Sequence, residues 1–99
     1  MKTIKAYKDV NLKDGTTISK GEEFTLRGIL SDTKGSWQRD SDGRVMILRF
    51  STLIKAPGLK TLERWSDDGI AKSVLGAQVE PDGHGPDGEP SWMRALRMI

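Results

Sequence analysis

The sequence predicts a mainly β chain with C-terminal helices (α+β), in which a small barrel of about five strands precedes a helical tail. Three observations predict it. Residues 1–56 fall into short alternating segments cut by Asp-Gly, Lys-Gly and Asp-Ser-Asp-Gly turns, the punctuation of closely spaced strands. The run from Val45 to Phe50 follows the last of those turns and is a nearly unbroken apolar strand. After Pro57-Gly58 the apolar spacing changes, with Leu59, Leu62 and Trp65 three residues apart, a helical period.

Taken in order, Thr3 to Tyr7 alternates with Ile4 and Ala6 on one face, and reads as the first strand. Lys13-Asp14-Gly15-Thr16 is a turn, since Gly after Asp supplies the positive φ of a tight reversal. A short strand at Thr17-Ile18 and a second turn at Lys20-Gly21-Glu22 follow. Glu23 to Gly28 then alternates, with Phe24 and Leu26 inward and Thr25 and Arg27 outward. Ser31 to Gly35 reads as a polar loop, Trp37 opens the next strand, and Asp40-Ser41-Asp42-Gly43 is a hairpin tip. In the return strand Val45 and Ile47 lie on one face and Met46, Leu48 and Phe50 on the other, so both faces are apolar. Such a strand is expected to be covered on both sides, by the barrel interior and by either the tail or a partner chain.

Leu59 to Ser66 reads as a helix ended by Asp67-Asp68-Gly69. Ile70 to Leu75 continues as helical turns or as the approach to a strand at Gln78-Val79. Six of the ten residues of 81–90 are Gly or Pro, which excludes regular structure there. Ser91 is placed as the N-cap of a closing helix over Trp92 to Met98, with Trp92, Leu96 and Ile99 spaced to share a face.

Lys20-Gly21-Glu22-Glu23-Phe24 as a turn leading into a strand, Trp37 at the start of the next, Ser41-Asp42-Gly43 as a hairpin tip and Ser51-Thr52-Leu53-Ile54 as a short helical turn together resemble an SH3-like barrel. The resemblance implies an SH3-like β-barrel over 1–56 and a helical tail, 57–99, packed on it. Peptide-binding members of that family use an aromatic groove, whereas this chain offers Trp37 with Tyr7 as its one further aromatic, so proline-motif binding is not implied. The stretch from Leu59 to Ile99, above all Val79-Glu80-Pro81-Asp82-Gly83, Gly88-Glu89-Pro90-Ser91-Trp92 and Ala95-Leu96-Arg97-Met98-Ile99, resembles small proteins of tailed bacteriophages and prophages. That resemblance implies a bacterial-virus origin, a setting in the host bacterial cytoplasm, and a class that includes inhibitors of bacterial defence such as anti-CRISPR proteins.

Composition narrows the chemistry. The 99 residues make one domain with a modest core. The chain has no cysteine, which removes disulfides, thiolate metal sites and thiol nucleophiles. No apolar run is long enough to span a bilayer, and Met1 to Lys5 lacks a signal-peptide core; no membrane partner is expected. Net charge is +2, too small to diagnose a nucleic-acid partner. Residues 1–56 hold 11 Lys and Arg against 7 Asp and Glu, +4, while 57–99 hold 5 against 7, −2.

The one histidine, His84, sits between glycines with no nucleophile motif beside it. Asp82, Asp87 and Glu89 lack the alternating ligand pattern of a Ca²⁺ loop and are expected to cap turns and hydrate the surface. The helix-and-turn at Thr61 to Ile70 offers a DNA groove only Lys60 and Arg64, opposed by Asp67 and Asp68. No catalytic, metal or cofactor site is therefore expected, and the chain reads as non-enzymatic. Candidate partner-binding residues are Tyr7, Arg27, Trp37, Arg39, Arg44 and Arg49. The expected partner is a host protein; the alternatives are nucleic acid, with Lys5 and Lys8 joining those arginines and the aromatics stacking on bases, a role as a small virion structural protein, or a homodimer. Trp65 and Trp92 are expected in the core.

Overall fold

The computed structural model describes residues 2–99. The chain runs β1 (Thr3–Lys5), β2 (Val10–Asn11), β3 (Thr17–Ile18), β4 (Glu23–Ile29), β5 (Lys34–Arg39), β6 (Val45–Arg49), α1 (Phe50–Leu53), α2 (Leu59–Asp68), β7 (Ala71–Lys72), β8 (Gln78–Val79) and α3 (Trp92–Ala95). It is mainly β. Four strands form an antiparallel sheet in the order β1-β4-β5-β6, and β2–β3 and β7–β8 are separate two-stranded ribbons.

Alternation in the sequence sets the sheet's inner face. Phe24 and Leu26 of β4, Trp37 of β5 and Met46 and Leu48 of β6 are buried, and pairing brings Leu26, Trp37 and Met46 into one row. Phe50 and Leu53 fold over that row from α1, with the Phe50 ring edge-on to Trp37 at 6.1 Å between centroids. Such aromatic pairs add about 0.5–1.5 kcal/mol beyond their area burial. Ala6 and Ile18 close the core from the β1 end and the β2–β3 ribbon, while Leu62, Val74, Trp92 and Met93 close it from the tail. The residues of 1–56 and 57–99 thus share one hydrophobic cluster.

The outer face differs from expectation. Val45 and Ile47 are 57 % and 63 % exposed, so β6 is wetted on one side and neither tail nor barrel covers it. The tail instead packs against the core through Leu62, Val74, Trp92 and Met93, away from the face that Val45 and Ile47 present.

The sheet also does not close into a barrel. Ala6 N donates to Glu22 O and Leu26 N to Lys2 O, each at 2.9 Å, so the even residues of β1 pair with β4. The odd residues face the opposite edge, where Tyr7 N donates to Leu53 O at 3.1 Å. Past Leu53 the chain turns away toward Pro57-Gly58 without adding a strand, and β1 stays an edge.

The tail is mixed rather than helical. α2 ends as the sequence indicates, at Gly69 with φ +70°, and of the two readings of Ile70 to Leu75 the structure takes the approach to a strand, with Ala71–Lys72 pairing Gln78–Val79 as the β7–β8 ribbon. The closing helix is one turn, not seven residues. Ser91 Oγ caps it, accepting from Arg94 N at 3.2 Å, and it stops because Arg97 takes φ +56°. Arg97 N then donates to Arg94 O and Met98 N to Met93 O, a Schellman ending. Ile99 consequently leaves the face it was expected to share with Trp92 and is 63 % exposed. In the 81–90 loop Glu89 is not a surface carboxylate: it is 1 % exposed, its side chain folded onto Ser73.

Candidate binding groove

The open edge of β1 borders a groove of about 570 Å³, which runs between β1, the segment 54–58, α2 and the β7–β8 ribbon. Its apolar lining comes from Ile4, Ile54 and Val74, and its aromatic lining from Tyr7, Trp65 and Trp92. Each reaches it for a local reason. Tyr7 is fixed by its backbone bond to Leu53. Trp65 follows Leu62, the buried anchor of α2, by three residues and so shares its side of the helix, half-buried. Trp92 stands at the first position after the Ser91 cap.

Three lysines from three separate elements, Lys5, Lys55 and Lys72, also line the groove, and all are exposed. No carboxylate lines it, and among the described residues none of the three lysines is in an ion pair. Lys8 Nζ adds a fourth cation 5.3 Å from the Tyr7 ring centroid. Along the β1 edge the amides of Thr3 and Lys5 have no partner among the described residues. The site therefore offers unpaired backbone groups, apolar and aromatic surface, and positive charge without a counter-charge.

Of the six candidate partner-binding residues only Tyr7 lies here, while of the lysines named with them for nucleic acid Lys5 lines the groove and Lys8 lies against Tyr7. Trp37 is fully buried, so it is a core residue and no stacking group. Arg39 is partly buried between Glu22 and Asp42, each at 3.8 Å, and donates to Thr17 O at 3.5 Å. Arg44 bridges from the hairpin tip to the β2–β3 turn, at 2.9 Å from Thr16 Oγ1 and 3.3 Å from Asp14 Oδ2. Arg27 is exposed on β4 and Arg49 at the end of β6. Two of the four arginines are thus engaged in ion pairs.

Lys55 and Lys72 were not singled out by the sequence, and Trp65, expected in the core, is half-buried and lines the groove. They sit in elements far apart along the chain, and nothing in local spacing announces that the fold brings them to β1. His84 faces Asp32 Oδ1 at 3.3 Å. The buried hydroxyls Ser73 and Ser91 donate to Glu89 and to Pro81 O, so neither serves His84. Among the described residues no group of three or more His, Asp and Glu side chains could hold a metal ion, and no helix is long and apolar enough to cross a membrane.

The chain matches no protein-family model, no curated protein and no solved structure.

Proposed function

We propose that the protein is a non-enzymatic binding protein of phage or prophage origin, an opened SH3-like fold that engages a host protein in the bacterial cytoplasm, with the inhibition of bacterial defence as its role. The groove beside β1 is its site, and the partner presents an extended segment carrying both apolar and acidic residues. One observation carries this reading: an unpaired strand edge lies against an apolar, aromatic groove lined by three lysines and no carboxylate. An added strand would take backbone hydrogen bonds from Thr3 and Lys5. Its alternate side chains would enter the groove, and its carboxylates would meet Lys5, Lys55 and Lys72, which steers association and sets register.

Trp65 and Trp92 report directly on the groove. Titration with acidic-apolar peptides should change their fluorescence saturably, and Lys5→Glu with Lys72→Glu should weaken the response about tenfold or more. Equal binding by the charge-reversed protein would overturn the reading.

A specific observation also favours a second copy of the chain as a partner. Arg39 N donates to Arg44 O and Phe50 N to Thr33 O, which fixes the even residues of β6 as those bonded to β5. The amides of Val45, Ile47 and Arg49 therefore face the free edge, beside their own exposed side chains. A two-fold axis at Ile47 would set Ile47 against its mate and Val45 against Arg49, so no like charges would meet.

A further inference from the structure

We propose that the cavity where the β4–β5 loop meets the C-terminal turn binds the phosphate group of a small phosphomonoester. The cavity, of about 420 Å³, lies apart from the β1 groove and is lined by Ser31, Thr33, Lys34, Arg49, Ser51 and Arg97, with no carboxylate among its lining residues. Its volume lies in the range of small-ligand pockets.

Four observations converge on an anion. Lys34 and Arg49 are direct cross-strand partners, and like charges in that arrangement destabilise a sheet. Neither they nor Arg97 is in an ion pair among the described residues. The acid of the same loop, Asp32, is turned to other cations, with Oδ2 3.0 Å from Arg94 Nη1 and Oδ1 3.3 Å from His84 Nε2. Three positive charges are therefore gathered with no carboxylate lining their cavity and none paired with them among the described residues, an arrangement that a dianion relieves.

The hydroxyls point to the same ligand. Ser31 Oγ accepts from Thr33 N and Lys34 N, each at 3.3 Å, so its acceptor capacity is filled and its proton is left to donate. Thr33 Oγ1, 3.2 Å away, takes that proton and has its own to offer onward. The cavity thus presents donors and cations, the complement of phosphate oxygens.

Arg97 adds a further observation. It is the one non-glycine residue with positive φ among those described, +56°, at the Schellman position where glycine is the usual occupant. An arginine there costs backbone strain, and its side chain is the one that the C-terminal turn sends to the cavity with Lys34 and Arg49. Strain held at a residue of a charged cavity points to a role for that side chain.

The test is an amide chemical-shift titration of the full chain with inorganic phosphate and with a nucleoside monophosphate, against sodium chloride of matched ionic strength. Saturable shifts confined to residues 31–34, 49–51 and 95–98 are expected with both phosphates. Arg49→Gln should weaken them about tenfold. Arg97→Gly should do the same while leaving the melting temperature unchanged or higher, which separates lost binding from lost folding. Lys72→Glu, in the β1 groove, should leave phosphate binding untouched. The proposal is overturned if chloride reproduces the shifts, if Arg49→Gln and Arg97→Gly bind as the parent does, or if a single-stranded oligonucleotide binds far more tightly than the monophosphate with a steep salt dependence, which would assign the cations to a nucleic-acid backbone.

Discussion

Ser73 Oγ donates to Glu89 Oε2 at 2.7 Å with neither side chain more than 1 % exposed. The same hydroxyl accepts from Ala77 N at 3.0 Å and Leu75 N at 3.3 Å, while Glu89 Oε1 accepts from Asp87 N at 3.0 Å. One carboxylate therefore joins the β7–β8 turn to the 81–90 loop, and no cation pairs with it among the described residues. Glu89→Ala would strand the Ser73 hydroxyl and the Asp87 amide, and Ser73→Ala would strand a carboxylate oxygen. Each should cost about 1–3 kcal/mol in urea unfolding, the penalty of a buried group left unpaired. The double variant should cost less than the sum of the two, since both remove the same bond. Gly85→Ala should be at least as damaging, because its Cβ would overlap the Glu89 carboxylate.

Gly35 tests the packing of the sheet in the same way. It lies opposite Leu48 in β5, and a Cβ there would come within 2.9 Å of Leu26 Cδ1 and 3.2 Å of Trp37 Nε1. Both neighbours are buried and held by the core. Gly35→Ala should therefore destabilise by about 1–3 kcal/mol, as overpacking does. Gly28→Ala, on the paired strand with open space around it, should cost less, and equal losses at the two positions would contradict the close approach at Gly35.

Much of the sheet was legible because its signals are local. The turns at Gly15, Gly21 and Gly43 all carry positive φ, and the alternation of Phe24 and Leu26 set the inner face. The reading of β6 erred for a physical reason. Valine and isoleucine at 45 and 47 reflect β propensity as well as burial, so apolar residues on both faces did not mean cover on both. Closure failed because it depends on where the chain goes after Leu53, a question of tertiary geometry that an SH3-like order of turns leaves open. In the tail, the cap at Ser91 was legible from residue type, but the Schellman ending was not, since arginine stands where glycine would have announced it. The groove lysines and the burial of Glu89 arise from contacts between distant segments and have no linear signature.

The β2–β3 turn gives a pH-dependent outcome. The Asp14 carboxyl is held below its usual 3.8, first by the Thr16 backbone N–H that it accepts at 2.9 Å, and then by the Thr16 hydroxyl and Arg44. A lowered folded value means that the charged form is favoured by folding. The contribution is present above the unfolded value and is lost as pH falls through the folded one. The Thr16 amide resonance should therefore titrate with a midpoint below 3.8, and in Asp14→Asn that step should vanish. A midpoint at or above the unfolded value would show that the turn does not hold the carboxylate.

The bare side of β6 bears on assembly. Val45 and Ile47 leave apolar surface beside a strand edge whose amides have no partner among the described residues, the feature that monomeric sheets usually blunt with charge, proline or a bulge. Self-pairing about Ile47 would join two four-stranded sheets into one. Light scattering across a range of protein concentrations should show a monomer–dimer equilibrium. Ile47→Lys should shift it to monomer by setting two like charges directly opposite across the axis. Because Ile47 is already in water in the single chain, that substitution should leave urea stability at high dilution within about 0.5 kcal/mol. Leu48→Asp provides the contrast: Leu48 is 6 % exposed on the inner face, so its replacement should unfold the monomer rather than dissociate a pair. A parent protein that stays monomeric at all concentrations would remove the second copy as the occupant of this face, leaving the β1 groove unaffected.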